Sequence, residues 1–338
     1  MGLGGIFRFR PDPFTQILIA TVLVASLLPC RGQAAIFFGW ATTAAIVLLF
    51  FMHGAKLSRQ AIFGGLAVWR LHLAVLSSTY ILFPLLGLAI AMLPDSLVDP
   101  GIKMGMMFLC ILPSTVQSSI AFTSMARGNV PAAVCSASLS NIVGIFITPL
   151  LAGVLIHSQM DVADGFLLTA IQSIAMKLLA PFIAGHLMRP WIGGFVDRHR
   201  VFLGRLDRGS ILLVVYTAFS AAVIDGLWHR VSGFDLALIA GLSTALLAIV
   251  LVVTTVGARI AGLSVEDETV LVFCGSKKSL ASGVPMAGAL FVPAQVGLII
   301  LPVMVFHQIQ LIVCAAIAQH YARRVERVTP DLEPRAAS

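Results

Sequence analysis

The chain has 338 residues, of which 59% are hydrophobic and 11% are charged, and its formal net charge is +7. In an ordinary soluble domain about a quarter of the residues are charged. Because each membrane span uses about 20 residues, this composition predicts one polytopic membrane domain without a soluble catalytic domain. The basic residues fall in short loops, so the positive charge indicates orientation in a lipid bilayer, and no nucleic acid partner is expected.

Apolar runs predict an all-α membrane protein with ten transmembrane helices. The predicted spans are 13–30, 34–52, 69–94, 103–126, 130–157, 164–187, 208–228, 233–258, 267–290 and 295–320. No small-residue cleavage site follows the first run, which indicates a span and not a removed signal peptide. The five cysteines form no C-x-x-C pair, so neither a disulfide nor structural zinc is expected. No cofactor is expected either.

Loop charges predict the orientation of these spans. With the N-terminus inside, 16 of the 22 basic residues fall in cytoplasmic segments, which indicates that both termini are cytoplasmic. The Arg-rich segment 188–207 is a predicted cytoplasmic loop after span six. The ten spans form two sets of five, and an odd number in the first set inverts the second set. We therefore predict two inverted repeats, 1–158 and 159–322, followed by a cytoplasmic tail, 323–338.

The fourth span of each half is the most polar and the most interrupted of its half. Pro113 removes a helical hydrogen bond from span four, while Gly275, Gly283 and Pro285 loosen span nine. Broken helices at corresponding positions of two inverted halves are the best sequence indication of a transporter's binding site. Spans four and nine are therefore predicted to be discontinuous.

Span nine also carries two adjacent lysines, Lys277 and Lys278, about eleven residues from either end, with no carboxylate at comparable depth. A lysine at the bilayer centre costs about 2.5 to 3.5 kcal/mol, which makes both lysines functional candidates. Neighbours on a helix point about 100° apart, so the two are not equivalent. Lys278 lies between Cys274 and Ser282 on a polar stripe, which favours Lys278 as the lysine that faces a polar cavity.

The candidate substrate-binding or ion-binding residues are polar side chains of spans four, five, nine and ten. They are Ser114, Thr115, Gln117, Ser118, Ser119, Ser136, Asn141, Ser276, Lys277, Lys278, Ser279, His307 and Gln310. Hydroxyl and amide groups also hold membrane helices together, so packing is the alternative role, and for Ser136 it is the favoured one. His307 fits a proton relay and packing equally well.

Four runs carry a family resemblance: Leu112–Ser119, Ala126–Val130, Ile147–Leu150 and Cys274–Leu280. Together with His72, His307 and Gln310, they resemble the bile acid:sodium symporter family, and more narrowly its symporter-like branch. That branch includes bacterial proteins and the seventh vertebrate member. The resemblance implies a panel domain, a core domain with unwound spans four and nine that cross at its centre, and transport by alternating access. It also implies a multi-pass protein of the bacterial inner membrane.

The residues that bind sodium in the coupled members of that family are not matched here. Those members use a glutamate on span nine, with an asparagine and hydroxyls from spans four and five. The matching positions hold Phe273 or Cys274, Ile120, Ala133 and Ala137. A neighbouring ammonium also repels a cation. A conventional sodium pair is therefore not expected, and the coupling ion, sodium or proton, stays open.

Two interpretations of Lys278 remain at this point. In the first, its ammonium occupies the place where relatives hold sodium, hydrogen-bonded to Ser118, Ser119 and the broken helix ends. In the second, Lys278 gains and loses a proton during transport. Both predict a cavity that favours anions. The predicted function is therefore secondary transport of a small organic anion or amphipathic solute, and not enzymatic activity. A membrane scaffold or regulator with the symporter fold is the alternative, and an intramembrane hydrolase is a third, without an oxyanion-forming motif.

Overall fold

The computed structural model describes residues 13–56, 68–156 and 175–328, and the regular structure within these ranges is helical. The helices are α1 (Pro13–Leu27), α2 (Gly32–Lys56), α3 (Trp69–Ala91), α4 (Pro100–Ile111), α5 (Gln117–Met125), α6 (Val130–Ile156), α7 (175–198), α8 (Arg200–Ile224), α9 (Leu227–Arg230), α10 (Gly233–Ile260), α11 (Val265–Gly275), α12 (Leu280–Leu290) and α13 (Pro293–Val328). Helices α3, α6 and α7 each contain a π-helical segment: Ser78–Leu82, Ala152–Ile156 and Ala175–Leu179.

Six helices of the described ranges are long and apolar enough to cross a membrane: α2, α3, α6, α8, α10 and α13. Large apolar side chains such as Trp40, Val252 and Ile312 remain exposed on them. Lipid contact explains this exposure, because hydrocarbon does not penalise apolar surface as water does. The prediction of an all-α membrane protein is confirmed.

Two predicted boundaries differ from the observed helices, and others fall outside the described residues. The Arg-rich segment 188–207 is helical through Arg198 and again from Arg200. Helix α13 continues to Val328, into the predicted tail. The predicted division between 158 and 159, the start of span six, residues 1–12 and residues 329–338 lie outside the described ranges.

The helices pack in two groups. Helix α2 packs along α7 and α8, and α1 packs on α8. Met52, Ala55, Val196 and Leu203 form an apolar cluster in this first group, and an ion pair between Lys56 and Asp207 joins the end of α2 to α8. The second group contains α3 to α6 and α10 to α13. Helix α11 contacts α3, α5, α6 and α10, which places it inside this group.

The helical path is interrupted twice within the second group, at 112–116 between α4 and α5 and at 276–279 between α11 and α12. Leu112 is extended, with φ −70° and ψ 154°, as residues before a proline prefer. Ser279 is also extended, and its side chain caps α12 by accepting from the Ser282 amide. The two interruptions touch, because the Ser279 amide donates to the Pro113 carbonyl over 2.8 Å. We call residues 110–116 and 273–279 together the junction.

Candidate functional site

The end of α4 leaves a run of main-chain carbonyls that the helix does not use, and each of them has a partner. Lys278 Nζ donates to Cys110 O and Leu112 O, Thr148 Oγ1 to Ile111 O, Ser279 N to Pro113 O, and Asn141 Nδ2 to Ser114 O. The donors come from α6 and from the interruption before α12. An unpaired buried carbonyl costs about 1 to 3 kcal/mol, so these partners stabilise the interruption in one conformation.

Lys278 is fully buried, with 0% of its surface exposed, and its ammonium is surrounded by carbonyl oxygens. Nζ donates to Cys110 O and Leu112 O over 2.7 Å each and to Thr79 O over 2.9 Å. Because an ammonium has three N–H donors, its capacity is filled. The Phe83 ring centroid lies 4.1 Å from Nζ. The carbonyls at a helix C-terminus carry partial negative charge, and here the end of α4 supplies two of them.

The third carbonyl, that of Thr79, is available because of a local feature of α3. In its π-helical segment the Phe83 amide donates to Ser78 O, five residues back. The next amide in that pattern would belong to Pro84, which has no N–H. The Thr79 carbonyl is therefore free to accept from Lys278. This acceptor is not among the residues predicted from the sequence, although the polar run Ser77–Thr79 followed by Pro84 is a signal for it.

Gln310 holds the main chain of Lys278 from the opposite side. Its Oε1 accepts from the Lys278 amide over 2.9 Å, and its Nε2 donates to the Lys278 carbonyl over 3.0 Å. His307 Nδ1 lies 2.8 Å from the same Nε2. The structure thus brings Gln310, a predicted candidate, to the backbone of Lys278 and not to its ammonium, and the second candidate, His307, contacts Gln310.

The end of α11 is capped by neutral hydroxyls. Ser119, Ser114 and Ser78 donate to the carbonyls of Phe273, Cys274 and Gly275 over 3.0, 2.5 and 2.8 Å. Ser276 donates to Val272 O over 2.6 Å. Ser114 lies in the α4 interruption and Ser119 lies on α5 just after it, so each broken helix end is held by groups from the other.

Lys277 is also fully buried, with 0% of its surface exposed, but its surroundings differ. Its Nζ lies 4.1 Å from the centroid of the Phe122 ring and 5.4 Å from that of Phe273. Within the part of the chain that the structure describes, this Nζ has no hydrogen-bond partner. The Lys277 nitrogen therefore lies against aromatic rings, whereas the Lys278 nitrogen lies among carbonyl oxygens.

A crevice of about 230 Å³ lies beside the junction, between the two helix groups. It is lined by Phe50, His53, Lys56, Val116, Ser138, Asn141, Ile142, Ile145, Phe182, Ser282 and Met286. Asn141 joins this space to the junction, since its Nδ2 donates to Ser114 O over 2.7 Å and its Oδ1 accepts from Ser282 Oγ over 2.9 Å. We call this space the Asn141 crevice.

A second recess, of about 260 Å³, is lined by different helices from those around the Asn141 crevice. Asp99, Asp225, Arg230 and Gln295 line it together with apolar residues of α4, α8 and α13. Asp225 and Arg230 are 3.3 Å apart and form an exposed ion pair. Both spaces therefore lie where the first helix group meets the second.

Several predicted residues lie away from the Lys278 ammonium. Gln117 is exposed, Ser118 donates to Thr115 Oγ1 over 2.8 Å, and Ser136 Oγ lies 2.7 Å from His72 Nδ1. Ser119, expected at the ammonium, donates to α11 instead.

Lys278 itself does not line the Asn141 crevice. The freed carbonyls of α3 and α4 explain its position, since they accept from all three N–H donors of the ammonium. The neighbourhood that corresponds to the sodium ligands of coupled relatives is apolar. Ala133, Ala137 and Cys274 are buried in one cluster, and Ile120 packs against it.

Interrupted helices whose ends meet beside a crevice are typical of secondary membrane transporters. The sequence profile of the SBF-like CPA transporter family matches residues 12–323, and the chain belongs to this family. It is 58% identical over 317 residues to Uncharacterized protein PA2026 of Pseudomonas aeruginosa, covering 94% of this chain and 95% of that one. It is 53% identical over 328 residues to "Putative symporter YfeH" of Escherichia coli strain K12, covering 97% and 98%.

A more distant relative is Sodium/bile acid cotransporter 7 of Danio rerio, which is 24% identical over 324 residues, 92% of this chain and 93% of that protein. These matches confirm the predicted resemblance to the symporter-like branch. The chain is thus a multi-pass integral membrane protein of a transporter family, with a small-molecule substrate, and it does not belong to a family of enzymes.

Proposed function

We propose that this protein is a secondary transporter that moves a small organic anion or amphipathic solute by alternating access. The observation that carries this proposal is the connection between the junction and the Asn141 crevice. One side chain, Asn141, lines the crevice, contacts α12 through Ser282 and holds the α4 interruption through Ser114. A solute in the crevice would therefore bear directly on the two broken helices.

The proposed architecture has ten spans in two inverted repeats, with α4–α5 and α11–α12 as the crossing fourth spans of each half. Both termini are cytoplasmic, and the membrane is the bacterial inner membrane. The Asn141 crevice then opens toward the cytoplasm at the Lys56 end of α2, and the Asp99 recess lies on the opposite side. In alternating access the substrate site would open to one of these two sides at a time.

The charge near the crevice favours an anion. In the described parts of the chain no carboxylate lies within ion-pair distance of the Lys277 or Lys278 nitrogens. A buried ammonium without a counter-charge produces a positive potential in surroundings of low dielectric. His53 and Lys56 add basic groups at the mouth of the crevice, although Lys56 is paired with Asp207.

The size of the crevice favours a small solute. Its volume of about 230 Å³ lies below the range of about 300 to 1,000 Å³ that is usual for drug-sized ligands. Its walls combine apolar side chains, among them Phe50, Phe182 and Met286, with the polar groups of Ser138 and Asn141. This lining suits a compact organic acid with one apolar part better than a steroid acid.

Uptake into proteoliposomes tests this proposal. Purified protein would be reconstituted and supplied with labelled lactate, benzoate, benzenesulfonate or taurocholate under sodium, pH and potential gradients, with protein-free liposomes as the control for passive entry. We expect protein-dependent flux of at least one of the three small anions. A folded protein that moves no member of the panel under any gradient would contradict the proposal and favour a scaffold.

A blocked crevice provides a matched comparison. Ser138→Trp places a large ring in the crevice from α6 without changing a hydrogen bond of the junction, and we expect transport to fall at least about 10-fold. Val134→Trp, at a 36% exposed position of the same helix, should retain flux. Equal flux in both variants would place the substrate path elsewhere.

A further inference from the structure

Lys278 fills a site that has the character of a monovalent cation site. Three main-chain oxygens, from Thr79, Cys110 and Leu112, lie 2.7 to 2.9 Å from one buried positive nitrogen. Rings of backbone carbonyls are the ligands with which channels replace the hydration shell of a monovalent cation. Here the cation is covalently attached, and it cannot dissociate from one side of the membrane and bind from the other.

A second, mobile cation is disfavoured in the same neighbourhood. At about 4 Å from the ammonium and an effective dielectric near 20, repulsion weakens its binding about a thousandfold. In the described residues, the side chains of the buried cluster that contains Cys274, among them Ala133 and Ala137, carry no oxygen that could bind a cation. The three carbonyl acceptors favour the protonated form of Lys278, so we expect the site to hold one positive charge throughout a cycle.

The groups that could carry a proton with the substrate are few around the crevice. Among its lining residues the titratable ones are His53 and Lys56, and Lys56 is paired with Asp207. The buried carboxylate of α11, Glu268, accepts from Tyr321 over 2.5 Å and is paired with Arg259. Within the described residues, no carboxylate lines the crevice.

We propose that transport by this protein is independent of sodium and electrogenic, so that the membrane potential drives the anion out of the cell. This inference rests on the proposed transport function. Over a complete cycle the protein returns to its starting state, its own charges cancel, and the net charge moved is that of the substrate. For a monovalent anion, 100 mV corresponds to about a 50-fold equilibrium ratio, with accumulation on the positive side. In a cell with a negative interior, that side is outside.

Proteoliposomes with a fixed potential test the inference. They would contain sodium-free potassium buffers at equal pH on both sides, with valinomycin and a potassium gradient that makes the interior 100 mV positive. The probe is the member of the lactate, benzoate and benzenesulfonate panel with the largest protein-dependent flux. We expect accumulation approaching about 50-fold over the exterior, unchanged by added sodium, and a loss of accumulation when the potassium gradient is removed.

The outcomes separate this inference from the proposed function. Three results would overturn the inference and leave the transport function intact. They are flux that requires sodium, flux that follows a pH gradient at zero potential, and flux that requires an anion on the opposite side and does not change with the potential. A His53→Gln variant that abolishes a pH-driven component would identify proton coupling and overturn it as well. Absence of flux under every condition would instead overturn the proposed function.

Discussion

The two neighbouring lysines of the α11–α12 interruption show that burial alone does not define the role of a charged residue. Both are fully buried. Lys278 donates to three carbonyls, whereas Lys277 lies against the Phe122 and Phe273 rings. A cation–π contact contributes about 0.5 to 2 kcal/mol, while taking an ion out of water costs several kcal/mol. The environment of Lys278 stabilises a charge, and that of Lys277 does not offset its cost.

The two broken helix ends also differ in whether a charged group caps them. The end of α4 is capped by the Lys278 ammonium together with neutral donors from Asn141, Thr148 and Ser279. The end of α11 is capped by the hydroxyls of Ser119, Ser114 and Ser78. Hydrogen bonds that involve a charged group are about twice as strong as neutral ones. The comparison therefore places the larger energetic contribution at the α4 end.

Lys278→Met should have the largest effect. It leaves three buried carbonyls without donors, at about 1 to 3 kcal/mol each, and removes the built-in cation. We expect protein-dependent anion flux to fall at least about 100-fold and the melting temperature of the purified protein in detergent to drop. Size-exclusion chromatography would establish that the variant is still folded. Wild-type flux in a folded Lys278→Met protein would refute the role given to this lysine.

Gln310→Leu should have the next largest effect, because it leaves the amide and carbonyl of Lys278 unpaired while the ammonium remains. The expected loss of stability is about 2 to 4 kcal/mol, with flux reduced about 10-fold. Denaturant or thermal titration in detergent and the proteoliposome assay measure the two quantities. Ile312→Leu, at an exposed position of the same helix, is the control. A loss no greater than in that control would show that the Gln310 contacts are dispensable.

Ser119→Ala tests the hydroxyl-capped end and should have a smaller effect. It removes two neutral hydrogen bonds, to Phe273 O and to Thr115 Oγ1, each worth about 1 kcal/mol, so we expect flux to fall about two- to five-fold. Ser124→Ala, at an exposed serine of the same helix, should not change flux. If Ser119→Ala reduced flux as much as Lys278→Met, the proposed difference between the two helix ends would be incorrect.

Lys277→Met should have the smallest effect. Replacing a buried polar group that lacks a partner with an apolar side chain of similar length is expected to be neutral or stabilising. Flux should stay within about two-fold of wild type, and the melting temperature should stay equal or rise. Loss of transport in this variant, with folding intact, would show that Lys277 acts in a state other than the one described.

The sequence predicted the helical membrane class and the position of the interruption around Pro113, because apolar runs and proline follow local rules. It did not predict the partners of Lys278. Two of its acceptors lie at the end of α4, and the third lies in the π-helical segment before Pro84. These three carbonyls come together only in the tertiary structure. The predicted polar stripe of Cys274, Lys278 and Ser282 depends on a continuous helix through Lys278. The helix is interrupted at 276–279, so these side chains do not lie on one helical face.

Chemical rescue of Lys278→Ala tests the central claim most directly, namely that a cation in this carbonyl site is required for transport. Alanine retains Cβ, and n-propylammonium supplies the missing three carbons and the ammonium. We expect flux in Lys278→Ala to be low and to rise at least about 10-fold with n-propylammonium. Tetramethylammonium, which has a charge but no N–H donors, should not restore it. Neither cation should restore Lys278→Met, whose side chain fills the space. High flux in Lys278→Ala without any added amine, or equal restoration by both cations, would contradict the account.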